Sequence, residues 1–563
     1  MKRKKLKTRR AKTIHVSTPF LPKWRKTELW LLLSIVAISF VLNSIGLDWG
    51  RTGFVPWQAD SIEGITTIRE NSRLFKEWTY KYPRGQFLIN AIFYKPYLDK
   101  WKKNPVPTKT RDGKPTWSVL NQSRLDKLAH ISRIIVMLMG VGTIIAVFMT
   151  ARILFNNYLS AVFSSLALAF SNLFVFYSHV GNVDVPCIFW FAWGTYFAVK
   201  SIHVGKWFHF AFMGFCFSFS MCTKDAMVGY VIGMIPAYWF LSTYKAKNEG
   251  KNLKEAVRAV FSKKLIIAVV VFLFSYALLQ NVLTSPDAFA QRMSHWIGGP
   301  GVTNFNKGFQ GQLPLFWKSC RELYTSLGWP FLLTAIASLL YSIIKKPWIV
   351  GFALIPLLAF YFIVVINVKM TCPRYFLPGF IGIALIIGYG NSVFWKIKKN
   401  LRPVVIILIL TAYILSLLYC VGLDLEMADD PRKQTEKWFA KNVSRDKIIV
   451  GPIPRNDSPR LNFQGFRFIS QWHVKQKNGT YFFRQAHPDY IITSKYRSLK
   501  NPVTKSFQNA LEAEKLNYSL VADFRNKYLY TSKITPFNLA GWPRNRFGWI
   551  NEQIKVFTKT TKL

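Results

Sequence analysis

About eleven stretches of the chain stay apolar over roughly 20 residues, the length that crosses a bilayer as one helix. They are 28–46, 131–153, 158–176, 185–203, 207–223, 226–243, 265–284, 326–344, 348–368, 375–395 and 403–423. A soluble domain does not carry this many uninterrupted apolar runs. The pattern predicts a mainly α-helical polytopic membrane protein. The run at 28–46 has no small-residue cleavage pattern behind it and reads as an uncleaved anchor.

The polar breaks sort into two sets. The segment "KRKKLKTRR" near the N-terminus, the connection 244–264, "KKPW" (345–348) and "KIKKNLR" (396–402) are basic. Lys/Arg-rich connections stay on the cytoplasmic side, and counting spans from a cytoplasmic N-terminus puts all four there. The same count gathers the loop 47–130, "SHVGNVD" (178–184), Lys224–Asp225, the loop 285–325, "KMTCPR" (369–374) and the tail 424–563 on the extracytoplasmic face.

The tail changes period. "QTEKWFAKNV" (434–443) is amphipathic at helical spacing, while "DKIIVGPI", "HPDYIITS" and "QIKVFTK" read as short buried strands. "ALEAEKLNYSL" (510–520) reads as a second helix. The organisation expected is a basic N-terminus (1–27), a membrane module (28–423) and an extracytoplasmic α/β domain (424–563).

Composition refines this picture. The chain has 563 residues, 51% hydrophobic, with 75 Lys+Arg against 27 Asp+Glu, a net charge of +48. That charge alone would suit a nucleic-acid binder, but the apolar runs exclude that class. They direct the charge toward anionic headgroups and phosphate-bearing substrates. The six cysteines (Cys187, Cys216, Cys222, Cys320, Cys372, Cys420) show neither CxxC nor a Cys/His cluster, so free buried thiols are expected.

The polar residues with chemical potential fall on one face. In "VPWQADSIEG" (55–64), Asp60 and Glu63 have the spacing of a helix-capping box, with Asp60 as cap and Glu63 reaching back. A helix over "IEGITTIRENSRLFKEW" would follow. "YKYPRG" places Lys81, Tyr82 and Arg84 around a helix start at Pro83, where cations suit an anionic group. "SHVGNVDVP" brings His179, Asn182 and Asp184 to a span boundary. Lys224 sits in a tight turn, and Arg374 stands at the mouth of a span, where a planar guanidinium grips phosphate. His295 lies in a loop that could close over the site. Carboxylates that accept a proton or hold a divalent cation, with cations that receive a phosphate leaving group, suit glycosyl transfer from a lipid-phosphate sugar.

The order of these motifs resembles the GT-C glycosyltransferases, in particular the protein O-mannosyltransferase and lipid A aminoarabinose transferase types. "WQADS" occupies the place of that family's acidic motif, with Asp60 as the acid and Ser61 where a second acid commonly stands. "KYPRG", "GNVDVP", "TKDAM" and "PRYFLPG" are similar to its further elements, matching Lys81, Tyr82, Asn182, Asp184, Lys224, Arg374, Tyr375 and Pro378. The resemblance implies an inverting transferase that uses a polyprenyl- or dolichyl-phosphate sugar, with Asp60 as catalytic base and Asp184 as a second acid. It implies donor-phosphate contacts from Lys81, Lys224 and Arg374; the residues themselves add Tyr82 and Arg84 as further donor-phosphate candidates, with Glu63, His179, Asn182 and His295 in support. A magnesium or manganese ion on Asp60 and Asp184 is the cofactor expected. The partners expected are the lipid donor, membrane lipids and a glycan, lipid or protein acceptor, with no nucleic acid. A transporter or lipid flippase is the competing class, and it would place charges mid-span in inverted repeats.

Overall fold

The structure is a computed structural model. It describes residues 25–51, 57, 60–72, 82–109, 115–251, 255, 263–297, 305, 306, 308–453, 457–469, 475–477, 480–482, 488–494, 502–526 and 553–560. Helices α1 (Lys26–Ser44), α2 (Ile65–Ser72), α3 (Gly85–Lys103), α4 (Gln122–Phe155), α5 (Tyr158–Ala169), α6 (Asn172–His179), α7 (Asp184–Val204), α8 (Trp207–Met221) and α9 (Met227–Asn248) form the first half. They are followed by α10 (Lys263–Leu279), α11 (Pro286–Ile297), α12 (Phe309–Leu327), α13 (Trp329–Lys345), α14 (Pro347–Phe360), α15 (Phe380–Phe394) and α16 (Arg402–Ala428). A helix lies over each of the eleven apolar runs. Among the described residues, five helical segments are individually long and apolar enough to cross a membrane, and seven if each of two bent pairs is one span. One bent pair is α5 with α6, at 60°.

The bundle is apolar outside as well as inside. On α1, Leu32, Ile35 and Leu42 are buried at helical spacing, while Trp30, Leu33, Phe40 and Val41 are exposed. On α10 the exposed set is Ile266, Val269, Val270, Leu273 and Phe274, and on α16 it is Val404, Ile407, Leu408 and Ile414. Apolar belts of this extent face hydrocarbon, not water. The chain is an integral multi-pass membrane protein. Helices inside the bundle approach closely at small residues: a Cβ on Gly388 of α15 would lie 1.9 Å from the Ser164 hydroxyl of α5.

Helix α4 carries a buried arginine near each end of its apolar run 131–153. Arg152 donates to the Glu28 carboxylate of α1 at 3.0 and 3.2 Å. Arg133 donates to both Glu63 oxygens at 2.8 and 2.9 Å. The two arginines are 19 positions apart, which at 1.5 Å per residue is about 29 Å, close to the thickness of a bilayer's hydrocarbon core. The two ion pairs therefore mark the two faces. Asp60 belongs to the Arg133 face, opposite the N-terminus of α1.

Beyond α16 the chain folds into an α/β domain. Helix α17 (Pro431–Asn442) and helix α18 (Pro502–Glu512) cover opposite faces of a five-stranded sheet ordered β4-β3-β7-β9-β8. Its strands are β3 (Ile448–Val450), β4 (Arg467–Ile469), β7 (Tyr490–Ser494), β8 (Tyr518–Arg525) and β9 (Gln553–Lys559), while β1 (Val106–Lys109) with β2 (Pro115–Ser118) and β5 (Lys475–Lys477) with β6 (Thr480–Phe482) form two small antiparallel pairs elsewhere. The pairs β3–β4 and β3–β7 are parallel, and β9 runs antiparallel to both neighbours. Period-two alternation assigns the faces: Ile449, Ile492 and Val556 pack with Phe439 of α17, whereas Val450, Ile491 and Phe557 pack with Phe507 and Leu511 of α18.

One sequence expectation shifts. The helix predicted over 510–520 ends at Glu512, and Tyr518–Leu520 begin β8. Glu514 and Asn517 take left-handed backbone (φ 54° and 56°), which turns the chain. Tyr518 then donates its hydroxyl to the Pro488 carbonyl at 2.7 Å.

The Arg133–Glu63 pair tests how the membrane module is held. Replacing Glu63 by Ala leaves a buried guanidinium without its carboxylate, and should destabilise the protein by about 3–5 kcal/mol. Thermal unfolding of purified Glu63→Ala in detergent reads this. A melting temperature equal to wild type would refute the pair's structural role.

Candidate functional site

Four segments meet at the Arg133 face. The first is the turn 60–64 that precedes α2. The second is Gly181–Asp184, entering α7. The third is the turn between α8 and α9, and the fourth is the loop 369–376 after α14. Two backbone contacts join the first pair: Ile62 N–H and the Ser61 hydroxyl both donate to the Gly181 carbonyl, at 2.7 and 3.1 Å. A Cβ at Gly181 would fall 2.4 Å from a Glu63 oxygen, so the approach requires glycine. Likewise Gly85, opening α3, donates to the Cys222 carbonyl at 2.7 Å and brings the "YPRG" turn against the α8–α9 turn.

These contacts bring four charged groups into a row of alternating sign. Asp60 Oδ2 accepts from Arg374 Nη1 at 2.5 Å. The same nitrogen is 3.8 Å from Asp184 Oδ2. Asp184 Oδ1 accepts from the Lys224 ammonium, and its other oxygen accepts from Asn182 Nδ2 at 2.7 Å. Asn182 Oδ1 in turn accepts from the Asp184 backbone N–H at 3.1 Å. The Asp60 side chain is 22% exposed and Asp184 only 2%. Asp60 is therefore the accessible acid, whereas Asp184 is enclosed and holds Arg374 and Lys224 at a fixed spacing.

The electrostatics follow from that spacing. Burial disfavours charge on Lys224, but Asp184 beside it prevails and holds the ammonium above its ordinary pKa. Burial likewise opposes the Arg374 guanidinium, and Asp184 with further neighbours outweighs it. Burial, then the Asp60 charge, pushes the Tyr82 phenol well above its usual range, so it remains a hydroxyl beside the row. The Lys224 ammonium also lies 5.2 Å from the centre of the Tyr375 ring, whose carbonyl accepts from Tyr230 at 2.9 Å.

The other sequence candidates separate. Arg84 is buried at the start of α3, and its pKa is lowered by burial, with Glu70 opposing and Arg292 adding to the effect. His179 is bonded away from the row. Its ring nitrogens contact the carbonyls of Val175 at 2.7 Å and Ile45 at 2.6 Å, with Asp424 3.5 Å away, so it fastens α6 to the end of α1 instead of joining the row. His295 lies in α11, and the Asp225 carboxylate accepts from Arg292 of the same helix. Lys81 lies outside the described residues.

The capping-box reading of Asp60 and Glu63 does not hold. Gly64 takes left-handed backbone (φ 59°), so α2 begins only at Ile65. Glu63 is spent on Arg133. Asp60, released from a cap role, faces Arg374. Sequence reasoning missed Arg133, Ser61 and Gly181. A lone Arg inside the apolar run 131–153 was the available signal, because such a residue requires a partner.

A sequence comparison bears on this geometry. Residues 126–273 match the dolichyl-phosphate-mannose-protein mannosyltransferase family. The matched segment runs from α4 into α10 and includes Asp184 and Lys224, and the match agrees with the resemblance in the motifs. No curated protein sequence matches the chain. Among solved structures the chain is similar to the crystal structure of ArnT from Cupriavidus metallidurans bound to undecaprenyl phosphate. Identity is 13% and the TM-score 0.47, over 93% of this chain and 98% of that one. The apo form of ArnT from the same organism gives 14% identity and a TM-score of 0.44, over 94% and 98%.

The two carboxylates of the row should respond differently to neutralisation. Asp184→Asn leaves Arg374 and Lys224 without their shared counter-charge and should lower the melting temperature clearly. Asp60→Asn, at the accessible end, should change it little. Unfolding of both variants in the same detergent measures the contrast, and equal losses would contradict the division of roles.

Proposed function

We propose that this protein is an integral-membrane glycosyltransferase. It moves a sugar from a polyprenyl-phosphate donor to an acceptor hydroxyl, with inversion at the anomeric carbon. The observation that carries the reading is the Asp60–Arg374–Asp184–Lys224 row at the edge of the membrane module. It sets one accessible carboxylate next to two cations held by an inaccessible one. The match of residues 126–273 to a mannosyltransferase family supports the same class.

In this mechanism the donor's isoprenoid chain stays in the bilayer and its phosphate meets Arg374 and Lys224. Tyr82 donates its phenolic hydrogen to the same anion. The phosphate competes with Asp60 for Arg374, which frees the carboxylate once the donor is seated. Asp60 then takes the proton of the acceptor hydroxyl. The acceptor oxygen bonds to the anomeric carbon as the bond to the phosphate oxygen breaks, and polyprenyl phosphate leaves. The developing phosphate charge is met by cations already in place, so little reorganisation is needed. Asp184 does not touch the sugar. It fixes where the cations stand.

A divalent cation suits this donor set poorly. The Arg374 guanidinium lies between the two carboxylates, and the remaining Asp184 oxygen receives Lys224. Among the described residues no group of three or more His, Cys, Asp or Glu side chains converges. No step is routed through a metal.

The basic connections support a cytoplasmic N-terminus for α1. The Arg133 face, with the row and the α/β domain, is then extracytoplasmic. A lipid-linked sugar presented on that side reaches the row from the bilayer edge.

Incubation of the purified protein with a panel of polyprenyl-phosphate sugars and a cell-envelope extract that supplies acceptor hydroxyls, followed by mass analysis of released lipid phosphate, tests the proposal. Wild type should release it from at least one donor. Asp60→Asn should stay folded and lose turnover by about 10²–10⁴-fold. Unchanged turnover in that variant would end the base assignment, and no release from any donor would favour a transporter.

A further inference from the structure

The segment that carries Asp60 is gripped from above by the α/β domain. Its centre is Asp430, fully buried at the start of α17. One Asp430 oxygen accepts from the Arg432 backbone N–H and from Arg432 Nε, both at 2.9 Å. The other accepts from Arg432 Nη2 at 2.7 Å and from the Trp49 indole N–H at 2.9 Å. Held flat by this bidentate pair, the Arg432 guanidinium lies 3.8 Å from the centre of the Trp57 ring and 5.4 Å from that of Trp49. Guanidinium planes stack on indoles, most strongly when water is excluded, and Arg432, Trp49 and Trp57 are all fully buried.

Further contacts close the grip. The Trp57 indole N–H donates to the Ser458 carbonyl at 3.0 Å. Arg460 Nη2 donates to the Gly50 carbonyl at 3.0 Å. From below, Arg133 of α4 donates to the carbonyls of Leu47 and Trp49 at 2.8 and 2.6 Å as well as to Glu63. Asp60 lies three residues after Trp57 and three before Glu63. Both flanks of the reacting carboxylate are fixed, one by the membrane helix and one by the α/β domain.

We infer that Arg432 is a positioning residue for Asp60: its stack on Trp57 makes the α/β domain part of the transfer site. The inference rests on the transfer reading above. Arg432 touches neither donor nor acceptor in that reading, and acts only through Trp57, three residues before Asp60 in the chain. A compact Lys ammonium in its place would keep the charge but lose the planar stack and the bidentate pair with Asp430.

The test uses the full-length protein in detergent with whichever polyprenyl-phosphate sugar wild type consumes. Arg432→Lys and Trp57→Leu should each lower kcat on the order of 10²-fold, with donor KM close to wild type, because Arg374 and Lys224 are untouched. Trp57→Phe keeps a ring beneath the guanidinium and should retain most of kcat. Turnover is expressed per folded, donor-binding molecule, so a purely structural role would lower yield and melting temperature but leave kcat alone. Wild-type kcat in folded Arg432→Lys and Trp57→Leu would overturn the inference while leaving the transferase reading intact. An inactive wild type would overturn the transferase reading itself. Should Arg432→Lys fail to fold, the comparison of Trp57→Leu with Trp57→Phe decides alone, and equal kcat in the two overturns the inference.

Discussion

The pair between Arg133 and Glu63 is the contact on which the site depends. A guanidinium 1% exposed and a carboxylate fully enclosed, joined by two hydrogen bonds, can exist at the end of an apolar run only together. Separated, each would be a charge in a medium that cannot solvate it. Their union therefore dictates where the chain after α1 must run. It brings Glu63 down to α4 and sets the Gly64 turn. It also leaves Asp60 three residues upstream at the rim, within reach of Arg374.

Around this fixed point the fold divides its charges by depth. Deep pairs such as Arg133–Glu63 and Arg152–Glu28 are closed to solvent and organise the helices. The Asp60–Arg374 contact is shallower and open on one side. Asp184 stands between these regimes. It is as buried as a structural acid, yet its partners are Arg374, which also holds the accessible carboxylate, and Lys224. A site of this kind keeps its cations in place through a buried carboxylate and presents an exchangeable ion pair at its accessible end.

Much of this was legible in the sequence, and the unread part has physical reasons. Apolar runs of membrane length announced the helices, because in hydrocarbon the backbone must satisfy itself locally. Asp60, Asp184, Lys224 and Arg374 were visible as polar residues at span ends, and topology put them on one face. Their pairing was not visible, because Asp60 and Arg374 are 314 positions apart and only packing brings them together. The capping-box pattern at Asp60 and Glu63 misled because a motif records spacing alone. Gly64 in a left-handed turn and a distant Arg133 decided the local structure instead. In the tail, strand alternation was readable, but the end of the helix after Glu512 depended on two left-handed residues that the composition did not flag.

The two arginines of α4 carry a consequence for the membrane itself. A helix anchored by enclosed ion pairs about 29 Å apart cannot tilt freely to suit a bilayer of another thickness, since tilting would drag one pair into hydrocarbon or lift the other into water. The lipid must adapt to the protein. The depth of the Asp60 rim relative to the opposite leaflet is thus set by one covalent helix. A lipid-tethered donor of the kind proposed would meet the carboxylate at a height that α4 measures out.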